Sequence, residues 1–156
     1  MTTPFPATAP LRRLGARVPA MLALGLAALL VCACGGGQGP AAAEQQLAAL
    51  VADMNRQAPV PMEGMTLEGM TLEADAVIYD YSVANAEILY FIRDDGGGLR
   101  DAMVASLLRA PDSRAFVQLA VACDRGVGFR YACAAEADTF RLVYDVADLR
   151  RRLETK

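Results

Sequence analysis

Two of the chain's four cysteines, Cys32 and Cys34, lie one residue apart in LLVCACGGGQGP, at the end of the most apolar segment of the sequence. Cys34 follows the small residue Ala33, whereas Cys32 follows the branched Val31. A positively charged start, an apolar stretch and a small residue before the cut are typical of an export signal. A small residue before the cut therefore favours a cut between Ala33 and Cys34, so that Cys32 leaves with the signal.

Charge and length around this segment support export. Residues 1–43 hold no acidic residue, and their only charges are Arg12, Arg13 and Arg17. The uncharged run VPAMLALGLAALLV that follows is 14 residues long, whereas a membrane-spanning helix needs about 20 apolar residues. The sequence therefore predicts a signal peptide over residues 1–33 in preference to a permanent transmembrane helix.

Val31, Cys32, Ala33 and Cys34 resemble the lipobox of bacterial lipoproteins, in which an aliphatic residue, a tolerant position and a small residue precede an invariant cysteine. The resemblance implies that a diacylglyceryl thioether forms on Cys34, that signal peptidase II cuts before it, and that fatty acids such as palmitate are attached. In such lipoproteins an Asp after the cysteine commonly holds the protein in the inner membrane. Gly35 stands there instead, which favours the periplasmic face of the outer membrane over the inner membrane.

Residues 34–41 are predicted to form the lipid anchor and a flexible linker, because they are rich in Gly and include Gln and Pro. Of the 15 Lys and Arg residues, three lie in the signal peptide, and all 18 acidic residues lie beyond it. The mature chain would therefore carry a net charge of −6. A chain this acidic has no electrostatic footprint for nucleic acid and gains nothing from anionic headgroups. We expect the membrane to be a partner through the lipid alone.

Histidine is absent from all 156 residues. This excludes Ser-His-Asp and Cys-His catalysis and every His-ligated metal site. A carboxylate pair could still act as general acid and base, and the candidates are Asp94 with Asp95, before three glycines, or Asp80 within a strand pattern. Adjacent acids before glycines are usually solvated turn residues, so the sequence predicts no catalytic residue, no metal and no cofactor.

Cys123 and Cys133 are the thiols that would remain after lipidation. An oxidising envelope favours a disulfide between them. Residues 127–133, however, are predicted to form one strand, which would separate the two cysteines by about 20–30 Å, whereas a disulfide requires Cα atoms within about 7 Å. We therefore expect two unpaired, mostly buried thiols; a strand that bends early would restore the bridge.

Helical periodicity appears in three stretches. Apolar residues at positions 47, 50, 51 and 54 predict a first helix near 42–57, ended by two prolines. A second helical pattern begins at Leu99, after a turn or flexible loop at 94–98. A third helix is predicted within 110–122, because Pro111 and Asp112 suit a helix N-terminus.

Alternating patterns predict four strands. Residues 76–84 place Val, Tyr, Tyr and Val on one face and Ile, Asp and Ser on the other, which is typical of a half-buried strand. The tandem EGMTL at residues 63–72 predicts its hairpin partner, with a bulge at Gly69 and a turn near 74–75. Residues 127–133 and 139–146 predict two further strands.

This order of elements predicts an α+β domain over residues 42–156, with a small antiparallel four-stranded sheet and helices packed on one face. From about Met62 to Leu149 the chain also resembles a group of small exported bacterial proteins of unassigned function. The resemblance rests on TLEGMTLEADAVIYDYSV and on APDSRAF before GVGFRYAC, and it departs at Leu108, where that group carries a cysteine. It implies the order of elements and no activity.

Two classes of function remain. The favoured one is a noncatalytic, membrane-anchored binding or accessory domain that acts on another envelope protein through the outer face of the sheet or through residues 94–98. The alternative is a carboxylate-dependent envelope hydrolase. An exposed apolar patch would favour the first class, and two convergent buried acids in a cleft would favour the second. The sequence does not separate an assembly helper from an enzyme inhibitor or an immunity protein.

Overall fold

The structure is a computed structural model that describes residues 39–94, 97–135 and 137–155. The predicted signal peptide, Cys34 and Asp95 lie outside these residues. Within them the helices are α1 (Pro40–Gln57), α2 (Ala86–Asp94), α3 (Gly97–Arg109), α4 (Pro111–Ala122) and α5 (Val146–Glu154). The strands are β1 (Val60–Met62), β2 (Met65–Leu72), β3 (Ala76–Val83), β4 (Gly126–Cys133) and β5 (Asp138–Tyr144).

The five strands form one sheet in the order β1-β2-β3-β4-β5. The predicted four-stranded antiparallel sheet is therefore wrong in two respects. Val60–Met62 adds an edge strand, and β3 pairs with β4 in parallel while the other neighbours are antiparallel. The parallel pair arises because α2, α3 and α4 lie between β3 and β4 and return the chain to the end at which β3 began. Parallel neighbours require a crossover of this kind.

Three helices differ from the sequence-based expectation, since α2 and α5 were not predicted and α3 begins before Leu99. EILYFI lies within α2, and Gly97 and Gly98 belong to α3, although 94–98 was predicted to be a turn or loop. The arginines at 150–152 belong to α5, where Asp145 caps the helix by accepting a hydrogen bond from the backbone N–H of Asp148 at 2.7 Å. The cap satisfies one of the amide groups left unpaired at a helix start. The start of α5 was not predicted, because residues 139–146 were assigned to a strand.

The helices share one hydrophobic core with one face of the sheet, as predicted. Val77, Tyr79, Tyr81 and Val83 face this core from β3, and buried residues of all five described helices join the same cluster. Asp80 and Ser82 lie on the opposite face and are half-buried. The alternation predicted for β3 is therefore confirmed from Tyr79 to Val83, whereas Ile78, which was predicted to share the face of Asp80 and Ser82, is fully buried.

A stack of aromatic rings fills the centre of the core. Phe129 stacks on Tyr79 with ring centroids 5.4 Å apart, and Tyr81 stacks on Tyr131 at 5.3 Å. Tyr144 meets the edge of Phe129 at 6.1 Å. Burial raises the pKa of Tyr81 to about 12 and raises the pKa of Tyr79 further. These tyrosines are thus neutral packing residues at any physiological pH.

The bulge predicted at Gly69 is present. The register between β2 and β3 shifts between Leu67 and Gly69, and Gly69 has a φ of +153°. A Cβ at this position would lie 2.7 Å from Oδ1 of Asn55 in α1. That side chain accepts a hydrogen bond from Met70 N at 2.6 Å and donates one to Met70 O at 2.9 Å. The bulge thereby fixes α1 against β2.

Candidate functional site

The start of α1 is close in sequence to the predicted modification site. Gly39 is five positions after Cys34, and α1 starts at the next residue. Glu44, in the second turn of α1, pairs with Arg125 at 3.2 Å, directly before β4 begins. The end of the domain nearest Cys34 in the chain is therefore the end at which β3 and β4 begin.

The outer face of the sheet carries an ion-pair group formed by Glu73, Asp80, Arg130 and Arg141. Arg130 pairs with Glu73 and lies 3.1 Å from Oδ1 of Asp80 through its Nη1 atom. Arg141 Nη2 lies 2.6 Å from Oε2 of Glu73. Thr71 donates a hydrogen bond to Oδ2 of Asp80 at 2.6 Å. Strand register produces the group, because Asp80 is opposite Arg130 and Arg130 is opposite Arg141.

This ion-pair group brings two acids together but engages both of them. Each carboxylate oxygen of Glu73 contacts an arginine. Oδ2 of Asp80 accepts a hydrogen bond from Thr71, and its Oδ1 lies 3.1 Å from Arg130 but is buried without a hydrogen bond. A hydrolase of the two-carboxylate type needs one acid to protonate a leaving group while the other activates water or attacks. Here a substrate would first have to break an ion pair on an open sheet face. The arrangement suits cross-strand stabilisation.

Replacing Arg130 with methionine should therefore destabilise the fold modestly, by about 1 kcal/mol at low salt. The change leaves Glu73 and Asp80 near one another without their shared cation. The effect should shrink as salt screens the repulsion. Urea unfolding at two salt concentrations measures it. Arg150→Met is the matched control, since Arg150 only meets exposed Asp124 at 3.5 Å. Equal stability of the two variants would show that the ion-pair group contributes nothing.

Helix α2 presents a second surface, which we call the aromatic surface and define as Glu87, Tyr90, Phe91 and Asp94. All four residues are exposed and follow the i, i+3, i+4, i+7 spacing of one helical face. Tyr90 is 43% exposed and Phe91 is 49% exposed. Among the described residues they are the large hydrophobic side chains that remain exposed. Of the predicted acid pair, Asp94 therefore lies at one end of an apolar patch, and Asp95 lies outside the described residues.

The buried side of α2 fixes this surface in place. Leu89 and Ile92 enter the core, and the Ile88 side chain rests against Gly64 in the β1–β2 turn. At the other end of the helix Arg93 donates to Asp138 at 2.7 Å. This hydrogen bond lowers the pKa of Asp138 and raises that of Arg93. Helix α2 therefore crosses the end of the sheet from the β1–β2 turn to the start of β5.

The aromatic surface was not predicted, although a local signal for α2 exists. Asn85 caps the helix by accepting a hydrogen bond from Ile88 N at 3.0 Å. Glu87 then lies in the first turn, where acids favour a helix. With Leu89 and Ile92 three residues apart on the buried side, these residues read as a short amphipathic helix. The apolar run EILYFI masked that pattern.

A shallow hollow lies beside the start of α2, between the β1–β2 turn and the end of β3. Met62, residues 64–66 and residues 82–84 line it, and its volume is about 220 Å³. Pockets for small ligands are usually larger, about 300–1,000 Å³. Within residues 39–94, 97–135 and 137–155, no three Cys, Asp or Glu side chains are grouped as a metal site.

The two remaining thiols are free in the structure, as the strand geometry predicts. Cys133 is buried at the last position of β4, and Cys123 is half-buried directly after α4, before that strand begins. Burial raises the pKa of the Cys123 thiol, and the Glu44 carboxylate raises it further. A raised pKa lowers the thiolate fraction, so Cys123 lacks the features of a reactive cysteine.

No described helix is both long enough and apolar enough to cross a membrane. No protein-family model matches the chain, and no curated protein matches it. Among solved structures, the chain is similar to a protein of Pseudomonas aeruginosa provisionally described as secreted, with 14% identity and a TM-score of 0.57 over 74% of this chain and 100% of that one. It also matches the EpsS pilotin of the Vibrio vulnificus type 2 secretion system, with 8% identity and a TM-score of 0.44 over 70% and 90% of the chains. The first likeness shows a shared fold alone.

Proposed function

We propose that residues 42–156 form a noncatalytic binding domain of the bacterial cell envelope, held at a membrane by acyl chains on Cys34. The observation that carries the proposal is the lipobox-like Val31–Cys34 at the end of a short apolar segment, with a few linker residues before α1. One acyl chain binds a membrane only marginally, whereas two or more hold a protein stably. The outer membrane is the proposed site, because Gly35 stands where an Asp favours the inner one.

Two surface features support a binding role, namely the ion-paired acids on the sheet and the exposed aromatic residues on α2. The convergent acids Glu73 and Asp80 are engaged in ion pairs on an open face, and the chain has no histidine for acid–base chemistry. Tyr90 and Phe91 expose aromatic area, which is enriched at protein–protein interfaces. The fold is shared with a Pseudomonas aeruginosa protein provisionally described as secreted, which is compatible with export of this chain. The partner of this domain would be another envelope protein.

The test is acylation of Cys34 in the intact chain. Cells that express the chain with radiolabelled palmitate should incorporate label into it, and Cys34→Ser should abolish the label, because serine cannot form the thioether. Cys34→Ser should also be absent from the outer-membrane fraction. Cys32→Ser is the matched control and should label and fractionate normally, since that residue leaves with the signal. Label retained in Cys34→Ser, or lost in Cys32→Ser, would refute the proposed anchor.

A further inference from the structure

The start of α1 and the aromatic surface lie at opposite ends of the sheet. Glu44 and Arg125 place the start of α1 at the end where β3 and β4 begin. Helix α2 follows the other end of β3 and crosses it. Strands of eight residues separate the two ends by about 25 Å. The five residues between Cys34 and α1 span at most about 18 Å when fully extended. When the strands lie along the membrane normal, α2 therefore faces away from the leaflet that holds Cys34.

Acidic charge surrounds the aromatic rings at this distal end. Glu87 and Asp94 flank Tyr90 and Phe91 on the same helical face, and exposed Glu63 lies in the β1–β2 turn that contacts α2. The one described cation of α2, Arg93, is paired with Asp138 and also lies 5.8 Å from the Tyr90 ring centroid. The local field is therefore negative around an apolar centre.

The combination of negative charge and exposed aromatic rings favours one kind of binding partner over others. An anionic lipid surface would be repelled by Glu87 and Asp94, and the anchor already directs the surface away from it. A second copy docked across a two-fold axis would place the same acidic patch against itself, which like-charge repulsion disfavours. A cationic segment with apolar side chains satisfies both features, because its charges meet the acids while its apolar groups cover the rings.

We propose that Glu87, Tyr90, Phe91 and Asp94 form the docking surface for a partner envelope protein, through a segment that combines Lys or Arg with apolar side chains. The inference rests on the proposed function for its orientation, since the lipid at Cys34 fixes which end is distal. Phe91 and Tyr90 are the expected anchors, because aromatic residues dominate binding energy at interfaces. Glu87 and Asp94 would set the approach and the choice of partner.

Photo-crosslinking in intact cells tests this surface. The full chain carries p-benzoylphenylalanine in place of Phe91, and the crosslinked partner peptide is sequenced by mass spectrometry. The expected product joins position 91 to a partner segment that contains basic and apolar residues. Exposed Gln118, on α4, is the control position and should not give that product. Glu87→Lys with Asp94→Lys should lower the yield about fivefold or more, and reversing the partner's basic residues to Glu should restore it. Glu154→Lys, an exposed acid on α5, should leave the yield unchanged.

Each other outcome overturns the docking inference. A phospholipid adduct at position 91 would show that the surface contacts the membrane. A crosslink to a second copy would show self-association, and equal products at positions 91 and 118 would show contact without specificity. Absence of a crosslink, or a partner segment without basic residues, refutes the stated chemistry. Palmitate labelling of the same cells separates the two proposals, because a labelled protein without the expected product leaves the anchor intact and rejects the docking surface alone.

Discussion

Phe129→Ala is expected to lower the free energy of unfolding by about 3–5 kcal/mol, because it removes a buried ring from the centre of the core. Phe129 is 4% exposed. Its ring stacks on Tyr79 at 5.4 Å and meets Tyr144 edge-on at 6.1 Å. The rigid sheet beneath and the helices above leave little freedom to close the cavity. Since small domains are stable by only about 5–15 kcal/mol, this variant should be partly unfolded at modest denaturant concentrations.

Urea unfolding followed by circular dichroism measures this loss, and Phe91→Ala provides the matched control. Phe91 is the same residue type with 49% of its surface exposed. Its truncation should change the free energy of unfolding by no more than about 0.5 kcal/mol. A difference below about 1 kcal/mol between the two variants would show that the aromatic stack is not the centre of the core.

The strands were predictable because their signal is local. Residues 76–83 and 127–133 alternate at the period of a strand, so the buried and outward faces follow from two-residue spacing. Their parallel pairing was not predictable in the same way, because it depends on where α2 to α4 return the chain. The edge strand Val60–Met62 has three residues, too few to show any alternation, and Pro61 within it argues locally against a strand.

The candidate surfaces show the same limit. The outward position of Asp80 follows from alternation, but its neighbour Arg130 lies 50 positions away and is brought opposite only by the β3–β4 register. Glu73 and Arg141, 68 residues apart in sequence, meet for the same reason. Exposure of Tyr90 and Phe91 depends on which side of α2 enters the core. A sequence supplies such residues, while tertiary register decides which of them become neighbours.

Gly126→Ala is expected to lower the free energy of unfolding by about 3 kcal/mol through an overlap that no side-chain rotation can relieve. A Cβ at Gly126 would lie 2.5 Å from the backbone oxygen of Tyr144. Gly126 is held from two sides. Its N–H donates a hydrogen bond to Asp75 O at 2.8 Å, and the next residue, Val127, pairs with Tyr144 in β5. An unstrained Gly-to-Ala change normally stabilises a protein by about 0.4–1 kcal/mol through the unfolded state. At Gly126 the cost of the overlap exceeds that gain, so the substitution lowers the free energy of unfolding instead of raising it.

The control for Gly126→Ala is the same substitution at Gly39, where nothing lies within 4 Å of an added Cβ. Gly39 precedes α1 as its N-cap, so alanine there should cost no more than about 1 kcal/mol. Thermal unfolding of both variants measures the contrast. A Gly126→Ala variant as stable as Gly39→Ala would mean that β5 can move away from β4 at no cost. In that case the close approach of the two strands at Tyr144 would not be a requirement of the fold.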